Sequence, residues 1–474
     1  MLLEFRHCPA NEMNLMEWIE MAVIFNNLVV NAKSKKFRPF LFNLLSGRRR
    51  ILDEYEFGII RSILSGDMVN DFDGNKTLLI DKLVQEKQFI TDEQRLVYER
   101  TLLESGQLAI REKQTDSLEF TIELTRSCNM SCQYCYMESR RDENSYLTEE
   151  HIDAIYAFYS AYAKTNTNQT IGVTGGEPLL NNRTVDMINY IEQKWPESKI
   201  ILLTNCVNAL KYYDMIPLKA LKEVHISLDG TRATHMSRRY YETTYSDTTF
   251  DDILEGIKRF ISDGIKVKLK TVIDKFNYRN FFEFEEFLLR EGVANSSLCE
   301  HEYAIAHDFS HPLDLRTSSN EKADVFDIRE FLSNTTIANS PLFLSAVVLY
   351  RALGRKANVP MEIKAQRCNS GFLSNYYFSC DGNVYFCGCV GAGKGTVGTY
   401  YPNITLNEEM IEKLRSRSIV SNKKCWECMY KYVCLGGCPL SATDKGAETS
   451  CGIFGDEEIM DNLEFNYHLI HNPQ

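Results

Sequence analysis

The chain has 474 residues, a hydrophobic content of 44% and a formal net charge of −12. Its length allows about three domains, each large enough to bury a core. The negative charge argues against nucleic acid as a partner, because phosphate contacts require clustered Lys and Arg. No apolar run is long enough to span a bilayer, and Met1 to Ala10 lacks the layout of a signal peptide. We therefore expect a cytoplasmic protein without a membrane partner, and we expect the basic run Arg48-Arg49-Arg50 on a solvated turn.

The chain contains fifteen cysteines, which is many for a protein of a reducing compartment and indicates metal binding rather than disulfides. Three cysteines lie between positions 128 and 135, and nine lie between positions 368 and 451. The remaining three, Cys8, Cys206 and Cys299, stand alone and are expected to be small buried hydrophobes.

Residues 1–115 are predicted to form a separate unit. A hairpin is expected over 41–53, with its turn at Ser46-Gly47. Helical periodicity follows over 54–64 and again over 78–89. Thr91 is a plausible cap for a third helix that reaches about Leu103.

From Leu118 the pattern changes to strands that alternate with helices. The predicted strands cover 120–124, 170–174, 199–204, 223–228 and 266–272, and the predicted helices cover 148–162, 185–194, 250–262 and 281–291. Strands separated by helices make βαβ units and a parallel sheet. Functional loops of such folds gather at the carboxyl ends of the strands.

Three cysteines follow the first predicted strand, namely Cys128, Cys132 and Cys135. Structural zinc sites and four-cysteine clusters take four protein ligands, so this triplet leaves one coordination position for another molecule. With the aromatic Tyr134 before the last cysteine, the C-x3-C-x2-C spacing resembles the cluster motif of the radical S-adenosylmethionine (SAM) enzymes. The resemblance implies that these catalytic cysteines hold a [4Fe-4S] cluster whose fourth iron is chelated by SAM. Half of a zinc site is the alternative reading of the triplet.

Two further strand ends carry the same resemblance. Gly175, Gly176 and Glu177 follow the second strand and are similar to the family's G-G-E-P element, which meets the SAM amino group. Asn205 ends the third strand, where the family has T-N-G, and Cys206 stands in place of the glycine. The resemblance therefore implies that these residues take part in binding the cofactor.

The fourth strand ends at Ser227, and His235 and Arg239 follow at the spacing of the family's H-x3-R element. The resemblance implies that Ser227 and Arg239 bind the SAM carboxylate, with the neighbouring Arg238 as an alternative. It covers about 118–300 and implies an incomplete TIM-like (βα)6 barrel rather than a closed eight-fold one.

The carboxyl-terminal cysteines have a regular spacing that is similar to the seven-cysteine SPASM extension of peptide-modifying radical SAM enzymes. That extension holds two auxiliary [4Fe-4S] clusters. The resemblance implies that the first is ligated by Cys368, Cys387 and Cys438, and the second by Cys425, Cys428, Cys434 and Cys451. The fourth ligand of the first cluster is Cys380, Cys389 or an open position for substrate. Two structural zinc ions are the alternative for this region.

A hairpin is also predicted around Asp381-Gly382-Asn383, since apolar residues alternate on both sides of a glycine turn. We expect it to place Cys380 and Cys387 on opposing strands.

These features predict an α/β chain in four parts. Residues 1–115 resemble the winged-helix-like domains that recognise leader peptides, 116–300 form the partial radical SAM barrel, 301–367 connect, and 368–474 form the SPASM domain. An accessory domain that merely covers the barrel is the alternative for the first part. The connecting part is expected to contain a buried helix over 341–353 and is assigned no chemistry.

The resemblance implies an enzyme that uses three [4Fe-4S] clusters and SAM to generate a 5′-deoxyadenosyl radical. The expected partners are a ribosomally made precursor peptide with a leader and an external one-electron reductant of the flavodoxin or ferredoxin type. The expected product is a thioether between a cysteine sulfur and a carbon.

Three alternatives stay open. Carbon-carbon or carbon-oxygen cross-linking is the first, and formylglycine formation by an anaerobic sulfatase-type maturase is the second. Gly388 stands where that maturase group has a catalytic Asp after the cysteine. An iron-sulfur electron carrier or peptide chaperone is the non-enzymatic alternative.

Overall fold

The fold was analysed in a computed structural model of the protein. The structure describes residues 22–23, 27–30, 40–43, 49–64, 74–86, 89–111, 119–132, 134–135, 137, 142–162, 170–240, 249–273, 277, 280–305, 376–388, 395–428, 431, 435–437 and 439–444. The helix predicted over 341–353 lies outside these residues, as do Cys8, Cys368, Cys389, Cys434, Cys438 and Cys451.

The amino-terminal unit contains the predicted hairpin and three helices. Strands β2 (Asn27–Val30), β3 (Phe40–Asn43) and β4 (Arg49–Ile51) form an antiparallel sheet, and the short strand β1 (Ala22–Val23) pairs with β5 (Ile90–Thr91). The helices are α1 (Glu54–Leu64), α2 (Gly74–Gln85) and α3 (Asp92–Arg111). Helix α2 begins four residues before the prediction, and α3 runs eight residues past it. A small core centred on Leu41, Leu52 and Ile60 holds the sheet against the helices.

The expectation that Arg48-Arg49-Arg50 forms a solvated turn was wrong for Arg49 and Arg50, and Arg48 lies outside the described residues. Arg49 and Arg50 belong to β4, and the Arg50 guanidinium donates to both oxygens of Glu86 at 3.0 and 2.9 Å and to Glu56 at 2.5 Å. Carboxylates on α1 and directly after α2 thus hold Arg50 against the unit.

Among the described residues, the central sheet contains a run of six parallel strands in chain order, each beside its predecessor. They are β6 (Glu119–Glu123), β8 (Thr170–Thr174), β9 (Lys199–Thr204), β10 (Leu221–Ser227), β12 (Lys266–Ile273) and β13 (Cys299–Ile305). The five predicted strands are confirmed within two residues at each end, and β13 is additional. Two short strands, β7 (Ser131–Cys132) and β11 (Arg239–Tyr240), pair with each other outside this sheet.

Helices follow the parallel strands and cover one face of the sheet. They are α4 (Glu149–Tyr162), α5 (Asn182–Lys194), α6 (Ala209–Tyr212), α7 (Arg232–Arg238), α8 (Thr249–Ser262) and α9 (Phe281–Arg290), with 3₁₀ turns at Tyr213–Met215 and Leu218–Ala220. Helix α5 begins three residues before the prediction because Asn181 caps it through a reciprocal bond with Thr184. The order of strands and helices is the predicted α/β arrangement.

The carboxyl-terminal hairpin joins the same sheet. Strand β14 (Tyr377–Phe378) lies parallel to β6 and antiparallel to β15 (Asn383–Tyr385), followed by β16 (Thr396–Thr399) and β17 (Thr405–Leu406). Phe120 of β6 packs edge-on against Phe378 with ring centroids 5.5 Å apart. The short helices α10 (Glu408–Arg415), α11 (Lys423–Trp426) and α12 (Pro439–Asp444) complete the described chain. None of the described helices is long and apolar enough to cross a membrane.

The hairpin turn is confirmed, but Cys380 and Cys387 do not oppose each other. Phe378 pairs with Val384, so Cys380 lies in the turn, while Cys387 lies two residues beyond the end of β15. The prediction failed because the register of a two-residue strand depends on its pairing with β6, which the local sequence does not reveal.

Helix α3 of the amino-terminal unit contacts the carboxyl-terminal cysteine segment. Leu102 is buried in a small core with Ile419 and Cys425. The buried Lys431 ammonium lies 3.7 Å from a Glu99 carboxylate oxygen and donates to the Trp426 carbonyl at 2.9 Å. The two ends of the chain therefore share one interface.

Replacing Glu99 with Gln is expected to lower the free energy of unfolding by about 2 kcal/mol, because a buried cation loses its carboxylate partner. Denaturant unfolding of the full chain measures this change. Lys423→Met is the matched control, since the Lys423 and Glu427 side chains are 87% and 63% exposed, and its effect should stay below about 0.5 kcal/mol. Equal effects of both variants would contradict this account.

Candidate active site at the cysteine loop

The cysteine loop is fastened to the end of the neighbouring strand by backbone hydrogen bonds. The Gly176 N–H donates to the Thr125 carbonyl at 2.7 Å, and the Glu177 N–H donates to the Ser127 carbonyl at 3.0 Å. A Cβ atom on Gly176 would overlap the Ser127 carbonyl oxygen. Glycine is required here because two backbones approach each other closely.

Glu177 is buried and joins two strand ends. Its carboxylate accepts hydrogen bonds from the Thr204 hydroxyl at 2.5 Å, the Asn205 N–H at 2.7 Å and the Leu179 N–H at 2.8 Å. Burial raises the pKa of Glu177, and the three donors act in the opposite direction. Since a carboxylate has about four acceptor positions, at most one is left for a ligand ammonium.

Asn205 is also committed to the loop. Its amide nitrogen donates to Asn129 at 2.7 Å and lies 4.0 Å from the Cys128 sulfur, while its amide oxygen accepts from the Val207 N–H at 3.0 Å. Glu177 and Asn205 thus form a chain of hydrogen bonds that ends beside Cys128.

Cys206 adopts the left-handed conformation that a glycine would take, with φ of 68°. Its side chain is fully buried next to Gly256 of α8, as predicted for a small hydrophobe. The replacement of glycine therefore preserves the backbone path at a modest conformational cost. Cys299 at the start of β13 is half-buried.

The pairing of β7 with β11 brings Arg239 opposite Cys132. The Arg239 side chain is buried, and its Nε and Nη1 atoms have no hydrogen-bond partner among the described residues. Burial opposes its charge, but Cys132, Tyr134 and Asp229 keep the pKa of Arg239 above its ordinary value. An unpartnered buried guanidinium beside the cysteines is suited to an anionic ligand.

The Arg238 guanidinium, by contrast, contacts protein groups. Its Nη2 donates to the Val272 carbonyl at 3.1 Å, and its Nε lies 3.6 Å from Asp229. The Tyr134 hydroxyl donates to Asp229, and the Tyr134 ring lies 5.0 Å from the Arg238 guanidinium carbon. Of the two arginines considered from the sequence, Arg239 has two buried nitrogens without a hydrogen-bond partner among the described residues, whereas Arg238 already donates to Val272 and lies near Asp229.

His235 supports the segment around Asp229 through a hydrogen bond and a ring contact. Its Nδ1 accepts the Asp229 N–H at 3.2 Å, and its ring meets Phe250 edge-on. Burial, together with the nearby Arg239, lowers the pKa of His235 to about 3. The ring is therefore neutral in the folded protein at neutral pH.

The three predicted cluster cysteines lie on one loop, with Cys132 buried and Cys128 and Cys135 half-buried. Burial raises the pKa of the Cys128 thiol to about 12, and its sulfur accepts the Met130 N–H at 3.4 Å. Among the described residues no three Cys, His, Asp or Glu side chains converge as a metal cage. The chemistry of the donor set is that of an iron-sulfur cluster site, since three thiols lie within eight residues of one loop and the buried Arg239, with two unpaired nitrogens, lies opposite Cys132.

Ser227 ends β10 beside Lys270 of β12 and is half-buried, so the structure brings it to the same sheet edge as the other predicted cofactor residues.

Of the predicted auxiliary ligands, the structure places four. Cys380 is buried, with its sulfur 3.4 Å from the Ser145 hydroxyl and 3.7 Å from a Glu123 oxygen, and burial raises the pKa of its thiol to about 12. Cys387 is half-buried after β15, and Cys425 and Cys428 lie on and just after α11, where Asn422 caps the Cys425 N–H at 3.1 Å. The other predicted ligands lie outside the described residues.

Sequence reasoning missed the buried carboxylates Glu123 and Asp229. Glu123 accepts from the Tyr377 hydroxyl at 3.0 Å, from the Ser379 hydroxyl and from the Cys380 N–H at 3.3 Å. A charged residue at the end of an apolar strand was the available signal for Glu123, and the Ser-Leu-Asp-Gly strand end was the signal for Asp229.

The stability contributed by the neutral His235 should decline in acid. In the unfolded chain the pKa of His235 is about 6.5. Below that pH the unfolded state therefore binds a proton, whereas the folded state keeps the ring neutral. The contribution is complete above about pH 6.5 and is lost as the pH falls towards 3. His235→Asn keeps an acceptor for the Asp229 N–H but does not titrate, so its stability should decline less between neutral and acid pH.

Denaturation midpoints of the cluster-free protein at several pH values test this prediction. His151→Asn is the control: burial lowers the pKa of this half-buried residue of α4 in the same direction but by less, so its curve should lie closer to the wild type than that of His235→Asn. Parallel curves for His235→Asn and the wild type would contradict it.

Comparisons with known proteins agree with this geometry. Residues 122–290 match the model of the radical SAM superfamily. A probable GTP 3′,8-cyclase of Saccharolobus solfataricus is 27% identical over 221 residues, which span 46% of this chain and 66% of that relative. The match therefore spans slightly less than two thirds of the relative's length.

Two solved proteins share the fold at 16% identity. The match to the structure of anSMEcpe with bound AdoMet covers 74% of this chain and 96% of the anSMEcpe chain, with a TM-score of 0.53. The match to Streptococcus suis SuiB, solved with the precursor peptide SuiA, covers 90% of this chain and 97% of the SuiB chain, with a TM-score of 0.52. The match to the superfamily model shows that the chain carries a radical SAM domain over residues 122–290.

Proposed function

We propose that the protein modifies a ribosomally made precursor peptide and forms a thioether between a cysteine sulfur and a carbon. The observation that carries the radical SAM part is the unpartnered Arg239 guanidinium beside the cysteine loop. The peptide part is supported by the likeness to SuiB, a protein solved with a precursor peptide, which extends over 90% of this chain. The bond type rests on the SPASM-like cysteine spacing.

The cofactors would occupy the site as follows. Cys128, Cys132 and Cys135 would hold a [4Fe-4S] cluster, and Arg239 and Ser227 would receive the carboxylate of SAM. When bound, these groups would supply a 5′-deoxyadenosyl radical that removes one hydrogen atom from the substrate carbon; as the carbon–sulfur bond forms, the thiol proton would leave to solvent and one electron would pass to an auxiliary cluster.

The remaining residues of the site position these groups. The hydrogen-bonded chain from Glu177 through Asn205 fixes the loop that carries Cys128. Asp229, Tyr134 and Arg238 hold the segment of Arg239 in place. Preorganised donors of this kind bind a ligand without having to reorganise.

The proposal extends to parts that rest on sequence resemblance. The domain boundaries are those predicted, with residues 1–115 as the leader-binding unit and 368–474 as a SPASM domain with two auxiliary clusters. The protein is cytoplasmic and receives its electron from a flavodoxin or ferredoxin type of partner. Cys380 is the weakest auxiliary ligand, because its thiol is buried against Glu123 and Ser145.

A second candidate substrate is GTP, which is favoured by the name of the Saccharolobus relative. That similarity spans 46% of this chain. It is therefore a candidate for the shared domain rather than for the whole chain.

Reconstituted enzyme with SAM, a reductant and the peptide encoded by the neighbouring open reading frame should release 5′-deoxyadenosine. The peptide should lose the mass of two hydrogen atoms for each cross-link, as mass spectrometry can measure. Cys128→Ala should abolish both products, and Cys299→Ser is the matched control that should retain them. An unchanged peptide with consumption of GTP would replace this proposal by the second candidate.

Arg239→Met should weaken SAM binding about tenfold or more, since a hydrogen bond to a charged group contributes about 1.5–3 kcal/mol. Equilibrium dialysis with the reconstituted protein measures the dissociation constant. Arg232→Met, on the exposed side of α7, should bind SAM as the wild type does. Equal affinity in Arg239→Met would remove this residue from the cofactor site.

A further inference from the structure

The parallel sheet has a charged face opposite its helices. Along β10 and β12 the buried Val224, Ile226, Val267 and Leu269 pack in the helix-side core. The residues that alternate with them turn to the other side, because successive side chains of a strand point to opposite faces. We call this side the inner charged face; it consists of Glu223, His225, Lys268, Lys270, Glu300 and Glu302, which contact one another as ion pairs.

One row of this face lies beside the proposed cofactor site. Ser227 is the register partner of Lys270, and Lys270 is the register partner of Glu302. Because Ser227 is the last residue of β10, this row lies at the carboxyl edge of the sheet, where active sites of such folds form. Glu300 and Lys268 belong to the next row, further from that edge.

Glu302 in this row is buried and incompletely paired. Its side chain is 4% exposed, and its Oε1 has no hydrogen-bond partner among the described residues. The Lys270 ammonium lies 3.7 Å from Oε1, beyond hydrogen-bond distance, and the Lys268 ammonium lies 4.0 Å from Oε2. A buried carboxylate oxygen without a donor is costly, so a donor from a ligand would stabilise it.

The charges around Glu302 limit what that ligand can be. A cationic group would meet the Lys270 ammonium at short range, and an anionic group would meet the Glu302 carboxylate. The three carboxylates of the inner charged face also disfavour a nucleoside triphosphate, despite the two lysines. A neutral group that contains both a donor and an acceptor satisfies both charges.

A peptide residue in extended conformation has this property, because its N–H and C=O point to the same side. We propose that Glu302 and Lys270 form a substrate subsite, in which Glu302 Oε1 accepts the N–H and the Lys270 ammonium donates to the carbonyl of one extended residue. This inference rests on the proposed peptide substrate and assigns the element of the sheet that holds it.

The test uses the reconstituted full chain and two peptides, the precursor encoded by the neighbouring open reading frame and its leader-free core. Fluorescence anisotropy measures binding of the labelled core. Glu302→Leu and Lys270→Met should each weaken it about tenfold, the loss expected for a hydrogen bond to a charged group. Glu302→Gln keeps an acceptor without the charge and should fall between Glu302→Leu and the wild type.

Glu300→Gln is the matched control, because Glu300 lies on the same strand and face but is 56% exposed. It should bind the core within about twofold of the wild type, as expected for an exposed pair. Cleavage of SAM without peptide should continue at the wild-type rate in Glu300→Gln. With the precursor, Glu302→Leu should release more 5′-deoxyadenosine for each peptide modified than the wild type does. A variant that is only destabilised would not raise this ratio.

The outcomes separate this inference from the function on which it rests. If the wild type neither binds nor modifies the peptide, the proposed function falls and the subsite with it. If the wild type does so and Glu302→Leu and Lys270→Met match it, the subsite alone is wrong. If Glu302→Leu does not fold, Glu302→Gln and Lys270→Met provide the test. Binding of the core peptide by both variants with wild-type affinity would overturn the subsite.

Discussion

The carboxylate of Glu177 is the point on which the candidate site depends. It accepts three hydrogen bonds, from Thr204, Asn205 and Leu179, and so fixes the ends of β8 and β9 relative to each other. Its own backbone N–H holds the cysteine loop at Ser127. A buried carboxylate that is satisfied by nearby donors specifies one arrangement, because any other would leave it without partners. The loop that carries three cysteines is thereby held in a defined place.

A second buried carboxylate joins the carboxyl-terminal hairpin to the sheet. Glu123, at the end of β6, binds Tyr377, Ser379 and the Cys380 backbone, and Arg126 donates to Ser379 and Asp381. The hairpin is therefore part of the same sheet as the radical SAM domain. In this arrangement the Cys380 thiol is packed against the junction, whereas Cys387 lies beyond the strand.

Much of the fold follows from local patterns. The alternation of β-branched strands with amphipathic helices such as α8, whose Ile253, Ile257 and Phe260 face the core, is visible at periods of two and 3.6 residues. The strand-end motifs were also readable, since glycine and small polar residues are required where backbones approach each other. Strand β13, the pairing of β7 with β11 and the register of the hairpin were not, because each depends on partners distant in the chain.

The sequence by itself determined which residues belong to the candidate site, namely the cysteine triplet, Gly175 to Glu177, Asn205, Ser227 and one of two arginines. It could do so because these residues stand at successive strand ends in a fixed order. Only the tertiary structure distinguished Arg238 from Arg239, since it shows that Arg238 contacts Asp229 and Val272, and this contrast supports Arg239 as the proposed ligand for SAM. It alone also showed that Glu177 holds two strand ends together through three hydrogen bonds, which leaves at most one acceptor position for a ligand ammonium. Hydrogen bonds between distant strands, rather than local spacing, determine which polar atoms are left for a ligand.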